Sequence, residues 1–279
     1  MNSVASPSDQ ARRDQAFESL LLLRRKSNVR RSAYYFVLLA LVVWSIQVTI
    51  IDDTDWERMG SLGAVLKSAG RFIGVDIGLF PSLLVPAIET LVIASLGTIL
   101  GVVICLPATW FGALNITPFK SVTYPLARLM MTLSRSIHEI VWALFFVAAV
   151  GLGAMAGIFA IAVRSVGFIA KMSAEAIEDI NPGPVEAIKA TGANTLQVVI
   201  FAILPQVLPQ ILGTVIFEWE INIRRSAILG LVGAGGLGLV FFRQMHTFNY
   251  HGVTSVIVAI LALILIGEVV SHYVRKSII

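Results

Sequence analysis

The chain has 279 residues, 57% of them hydrophobic and only 14% charged, with a formal net charge of +4 and a mean hydropathy of +0.84. A soluble domain of this size needs a more highly charged surface, so the composition points to a polytopic all-α membrane protein. The cations gather beside the first apolar run, as in membrane proteins, and nucleic acid is not an expected partner. The single cysteine, Cys105, excludes an internal disulfide, and the four histidines lack metal-ligand spacing, so no protein-bound metal is expected.

Residues 1–31 carry Arg12, Arg13, Arg24, Arg25, Lys26, Arg30 and Arg31 against Asp14 and Glu18, which predicts a basic cytoplasmic segment. Within it, Ala16 to Leu23 fits a short surface helix, and disorder suits the first dozen residues equally. The first apolar run, 33–51, ends at Asp52, Asp53 and Asp55. Its polar leader is long and no small-residue cleavage site follows, so it reads as a retained anchor rather than a signal peptide. Together with a moderately apolar outer-surface stretch it makes a segment over 32–80, ahead of a membrane core over 81–279.

A second helix is predicted from Pro81–Pro86 to about Leu106, where Pro107 ends or kinks it. A third fits between Val122 and Val150 and carries Arg128, Arg135, His138 and Glu139 in its first half. Arg135 and Glu139 are four residues apart and suit a helical ion pair near the inner headgroups; contact with a passing solute is the other reading. A fourth runs from about Ala156 to Ala170. From Lys171 the chain becomes too polar to stay in lipid, and 173–193 suits two short helices around a turn at Asn181-Pro-Gly-Pro184.

A fifth helix is predicted over 196–216. Glu218, Glu220, Asn222, Arg224 and Arg225 then precede a glycine-rich run that includes Gly230, Gly233, Gly235, Gly236 and Gly238. That run is short for a span and reads as a re-entrant or partly buried segment: a constriction that opens, or simply tight helix packing. The last helix covers about 253–270. Six crossings place both basic termini in the cytoplasm.

Glu186-Ala-Ile-Lys-Ala-Thr-Gly192, followed by Ile203-Leu-Pro205, resembles the "EAA" coupling motif of bacterial ATP-binding-cassette (ABC) importer permeases. The string His138-Glu-Ile-Val-Trp-Ala-Leu-Phe145, and Glu220-Ile-Asn-Ile-Arg224 with Leu229 to Gly238, are similar to the phosphonate branch of that family. The resemblance implies a type I (MetI-like) permease fold with about six transmembrane helices in the bacterial inner membrane. It implies a second copy of the permease, two cytoplasmic ATPases that bind ATP and Mg, and an extracytoplasmic phosphonate-binding protein that delivers a small anionic substrate. A permease for phosphate, phosphite or another small solute such as methionine is the alternative. Glu186, Ala187, Ala190 and Gly192 match the docking segment for the ATPase; position 188 has Ile where the pattern more often has Ala. The chain has no GxxxxGK[ST] loop, so it is expected to be a transport subunit rather than an enzyme.

An anion pathway needs cationic or donor groups that bind without trapping. Arg224 and Arg225 suit this because a guanidinium meets two oxyanion oxygens at once, and Glu218, Glu220 and Asn222 are placed to pair with them near the outer mouth. Snorkelling or a helix-joining ion pair is the competing reading. Arg135, His138 and Glu139 form a second candidate polar site.

Overall fold

The computed structural model describes residues 28, 30–53 and 61–278, and the expectations for residues 1–27 and for Asp55 lie outside them. By its internal contacts the chain divides into two units, 1–68 and 69–279. The first holds α1 (Arg30–Asp52), whose most apolar window is wholly exposed, and most of α2 (Leu62–Gly70).

The second unit contains α3 (Phe80–Gly112), α4 (Thr123–Ser136), α5 (Glu139–Val150), α6 (Ala154–Glu178) and α7 (Pro182–Ala190). It continues with α8 (Thr195–Val232), α9 (Gly236–His246) and α10 (Tyr250–Ile278). Among the described residues five helices are long and apolar enough to cross a membrane, or six if the bent pair α4–α5 counts as one span.

α3 shows why these helices associate. Its buried residues include Thr90, Ala94, Gly97, Thr98, Gly101, Cys105, Thr109 and Gly112, spaced by three or four along one face. Leu84, Val85, Ile88, Leu96, Ile99, Val103 and Leu106 stand exposed on the rest of the surface. In lipid, burying Leu gains little, and a small-residue stripe lets two backbones approach closely. A Cβ on Gly97 would lie 2.6 Å from Ile161, and one on Gly101 2.9 Å from Ser165, so α6 lies directly on this stripe.

Several expectations are corrected. α3 does not stop at Pro107 but continues to Gly112, because a backbone out of water has no partner for its polar groups except its own helix. The expected third helix is two helices bent by 91° at a break between Ser136 and Glu139. Arg135 and Glu139 therefore do not share a helical face, and their expected pair does not form. α6 runs on to Glu178, so the first of the two expected short helices is its last turns, and only Pro182–Ala190 stands as a separate short helix. α8 does not end near 216: it continues, through a π segment at Val199–Ile203, to Val232. Glu218 to Arg225 are thus inside a long helix rather than at its mouth.

Candidate functional site

Where α5, α6 and α8 meet, the chain gathers four charged side chains: Glu139 and Glu218 are buried, and Arg164 and Arg225 are partly buried. Arg225 Nη1 lies 2.6 Å from Glu218 Oε1 and also donates to Asn222 Oδ1 at 2.9 Å. Arg225 Nε is 3.6 Å from Glu139 Oε1, and Arg164 Nε is 3.6 Å from Glu139 Oε2. Ser165 Oγ bonds Glu218 Oε1 at 3.2 Å, and Asn222 Nδ2 donates to Ser165 Oγ and to Thr98 Oγ1, both at 2.9 Å.

The level of this cluster follows from its bonds. Thr98 is about 27 Å along α3 from Phe80 and about 21 Å from Gly112, at 1.5 Å per residue. Charges that deep in a spanning bundle are costly unless paired, and they mark functional positions by default.

The break at 137–138 builds the cluster. His138 has extended backbone and its Nδ1 accepts from Ile140 N, capping α5. Glu139 then falls in the first helical turn, where exposed amides favour an anion. The two arginines differ in satisfaction. Arg225 is held by Glu218 and Asn222, whereas Arg164 Nε and Nη1 are buried with no hydrogen-bond partner among the described residues. Glu218 Oε2 is likewise unfilled, although Glu218 is fully buried.

Of the residues singled out from the sequence, Glu139, Asn222 and Arg225 come together here, with His138 at the rim, its Nε2 3.8 Å from Glu139 Oε1. Arg135 does not join them; its guanidinium lies 5.7 Å from the Phe168 ring centroid. Arg224 and Glu220 pair with each other on a different side of α8, where Glu220 Oε2 accepts from Ser271 of α10 and lies 3.8 Å from Arg275. Adjacent residues on a helix point about 100° apart, so Arg224 and Arg225 cannot serve one site. Arg164 and Ser165 complete the cluster and were not among the expected site residues, whereas Glu218, expected to pair with the neighbouring arginines, does pair with Arg225. The spacing Glu218, Asn222, Arg225 places one carboxylate, one amide and one guanidinium on a single helical face, and that was the available signal.

The glycine-rich run forms a corner between α8 and α9. Gly233, Gly235 and Gly236 have φ of +91°, +87° and +67°, a region that side chains disfavour. Gly153 N donates to Gly233 O at 2.9 Å, joining this corner to the α5–α6 turn. Gly230 and Gly238 lie against each other's backbone, where any Cβ would strike main-chain atoms.

α7 presents a different surface. Asn181 caps it by accepting from Gly183 N at 3.0 Å, and Gly192, at φ +81°, ends it. Val185 and Ile188 pack inward on the core formed by α3, α6 and α8. Glu186, Ala187, Ala190 and Gly192 are all exposed and form a small-residue surface with one carboxylate.

An all-α bundle of long apolar helices, with a charged cluster inside it and an exposed amphipathic helix at one end, defines a polytopic membrane permease. Residues 106–279 match the family described as the binding-protein-dependent transport system inner membrane component. The chain belongs to that family of ABC transport permeases and is a transport subunit rather than an enzyme. It is 35% identical to the phosphite transport system permease protein PtxC of Stutzerimonas stutzeri, over 88% of this chain and 87% of that one. It is 34% identical to the phosphate-import permease protein PhnE of Mycolicibacterium smegmatis, over 74% of this chain and 38% of that one. Its fold is similar to that of the MetNI methionine ABC transporter in inward-facing conformations, with a TM-score of 0.65 and 25% identity over 74% of this chain and all of the matched one.

Proposed function

We propose that this chain forms the translocation pathway of an importer for a small phosphorus oxyanion, with phosphite and phosphate ahead of larger phosphonates. Two copies assemble around the pathway, and two ATPases, which bind ATP and Mg, engage the α7 helices. An extracytoplasmic binding protein delivers the anion, and both termini lie in the cytoplasm with α7. The observation that carries this reading is Arg164: a partly buried guanidinium with two buried nitrogens unfilled, inside a spanning bundle. A buried charged donor without an acceptor is strongly disfavoured, and an oxyanion supplies two acceptors at the spacing of the guanidinium fork. Arg225, already engaged by Glu218 and Asn222, holds the cluster in shape while Arg164 meets the anion.

The named relatives support the phosphorus class, and they favour the smaller oxyanions over the phosphonate that the sequence strings suggested. A methionine carboxylate would satisfy Arg164 as well, and the similarity to the methionine transporter supports that second reading. The test is ATP hydrolysis by the permease reconstituted with its ATPase and binding protein, with phosphite, phosphate, methylphosphonate or methionine added separately. Stimulation by phosphite or phosphate is expected. Stimulation by methylphosphonate alone or methionine alone would overturn the substrate assignment, and no stimulation by any of them would overturn the importer reading.

A further inference from the structure

At the ends of α3, α4 and α6 nearest α7, a second polar assembly fastens three helices together. Arg128 of α4 donates from Nε to Gly112 O, the last residue of α3, at 2.9 Å. Its Nη2 lies 2.8 Å from Glu178 Oε1 and its Nη1 3.5 Å from Glu175 Oε1, both on the last turn of α6. Glu178 Oε1 also accepts from Leu114 N at 2.9 Å, and Asn115 Nδ2 donates to Ile177 O at 2.8 Å. The Tyr124 ring centroid lies 5.2 Å from the Arg128 guanidinium carbon. One guanidinium thus reads a backbone carbonyl and two carboxylates at once, a geometry that arginine offers and lysine does not.

Three residues after Glu178, Asn181 caps α7. Asn181 N donates to Gln206 Oε1 of α8 at 3.1 Å, and Gln206 Nε2 donates to Ala202 O at 2.7 Å. α7 is therefore tied at its base to α4 through Arg128 and to α8 through Gln206. These are the helices that lead to the charged cluster: α4 ends at the break before Glu139, and α8 carries Glu218 and Arg225. Between the two levels α4 and α6 stay together, because Ser134 Oγ donates to Val163 O and accepts from Gly167 N. Gly167 permits this approach, since a Cβ there would lie 2.6 Å from Met131 O.

We propose that the Arg128–Glu178 clamp is the joint that carries displacement of α7 to the Glu139–Arg164 cluster. Arg128 and Glu178 are positioning residues that touch neither solute nor nucleotide. Movement of α7 pulls Glu178, the clamp pulls α4 with α6, and the break at 137–138 converts that shift into a change in where Glu139 faces Arg164. The proposal rests on α7 being the helix that the ATPase grips.

The experiment compares Glu178→Gln, Arg128→Lys and Glu186→Lys in the full permease–ATPase–binding-protein complex in proteoliposomes. It reads solute moved per ATP hydrolysed, with assembly and melting temperature measured alongside. Glu178→Gln keeps an oxygen for Leu114 N and removes only the charge that holds Arg128. The expected result is an assembled complex that still hydrolyses ATP but moves about two- to thirtyfold less solute per ATP, the range expected when coupling rather than binding is weakened. Arg128→Lys should give an intermediate loss. An unchanged ratio in both clamp variants, with Glu186→Lys uncoupled, overturns the joint and leaves α7 as the coupling helix. A lower melting temperature at an unchanged ratio assigns the clamp to stability alone and also overturns the joint. Full coupling in Glu186→Lys overturns the reading of α7 itself.

Discussion

The protein contains two arginine–glutamate assemblies joined by the same helices, and they differ in how fully they are satisfied. At the ends of α3, α4 and α6, Arg128 binds a carbonyl and two carboxylates, and its side chain is 20% exposed beside Glu175 and Glu178, which are 41% and 23% exposed. Arg164 of the deeper cluster is just as exposed as Arg128, so the difference lies in the carboxylates: water reaches Glu175 and Glu178, and those charges carry little desolvation penalty. In the middle of the bundle Glu218 is fully buried and Arg225 is 13% exposed, yet Glu218 Oε2 and two nitrogens of Arg164 stay unfilled. Ion pairs so deep hold their place only through close partners, and an unfilled donor there is an invitation to an anion. The first assembly leaves one buried nitrogen, Arg128 Nη2, without a hydrogen-bond partner among the described residues, and the second leaves two nitrogens of Arg164 and a carboxylate oxygen of Glu218.

The sharpest way to break this contrast is to remove the partner that the buried carboxylate needs. Arg225→Gln leaves Glu218 charged, fully buried and short of its 2.6 Å partner. Stranding a buried charge costs about 3–5 kcal/mol. We expect a large fall in melting temperature in detergent and loss of transport together. Survival of the fold with normal transport would show that the bundle does not need the Glu218–Arg225 pair. A somewhat smaller loss is expected for Gly238→Val, because a side chain there meets Ala227 O and Gly230, which are backbone and cannot rotate away. Overpacking of this kind costs about 1–3 kcal/mol. Thermal unfolding of the variant checks it, and unaltered stability would show that the corner yields.

Arg164→Gln separates ligand binding from folding. Arg164 gives up no hydrogen bond when replaced, only a 3.6 Å approach to Glu139, so stability should change little. The apparent affinity for phosphite or phosphate should fall about ten- to a hundredfold, the loss of a charged hydrogen-bonded contact worth roughly 1.5–3 kcal/mol. Transport assayed across solute concentrations reads this directly. Equal affinity in the variant would remove Arg164 from the pathway.

Hydropathy made the long helices legible because lipid demands about twenty apolar residues in a row, and the family was legible because the string from Glu186 to Gly192 is short and contiguous. The cluster was harder for a physical reason. Glu218 to Arg225 looked like an exit from the membrane, since a lone charge in lipid is prohibitive, and a one-dimensional reading cannot see the α5 and α6 groups that pair with it. The 91° break between α4 and α5 lacks the glycine or proline that usually marks one: the residues there are Ser136, Ile137 and His138. What closes that break is tertiary, the contact of Ser134 with Val163 and Gly167 on one side and of Glu139 with two arginines on the other. The separation of Arg224 from Arg225, by contrast, was readable from helical spacing once the helix was known to continue.

That separation yields the smallest expected effect. Arg224 is 44% exposed and pairs with Glu220 one turn away on the same helix. Glu220 keeps Ser271 and the neighbouring Arg275 when Arg224 is removed, so no buried charge is stranded. With Arg224 itself at the surface, a helical pair of this spacing contributes about 0.3–0.5 kcal/mol. Arg224→Gln should therefore move the melting temperature by about a degree or less and leave the apparent affinity for phosphite or phosphate within about twofold of the parent protein. Side-by-side transport curves for Arg224→Gln and Arg164→Gln decide the matter, because both remove one positive charge from the span. A long-range electrostatic attraction would weaken both alike, whereas direct contact with the anion weakens Arg164→Gln alone.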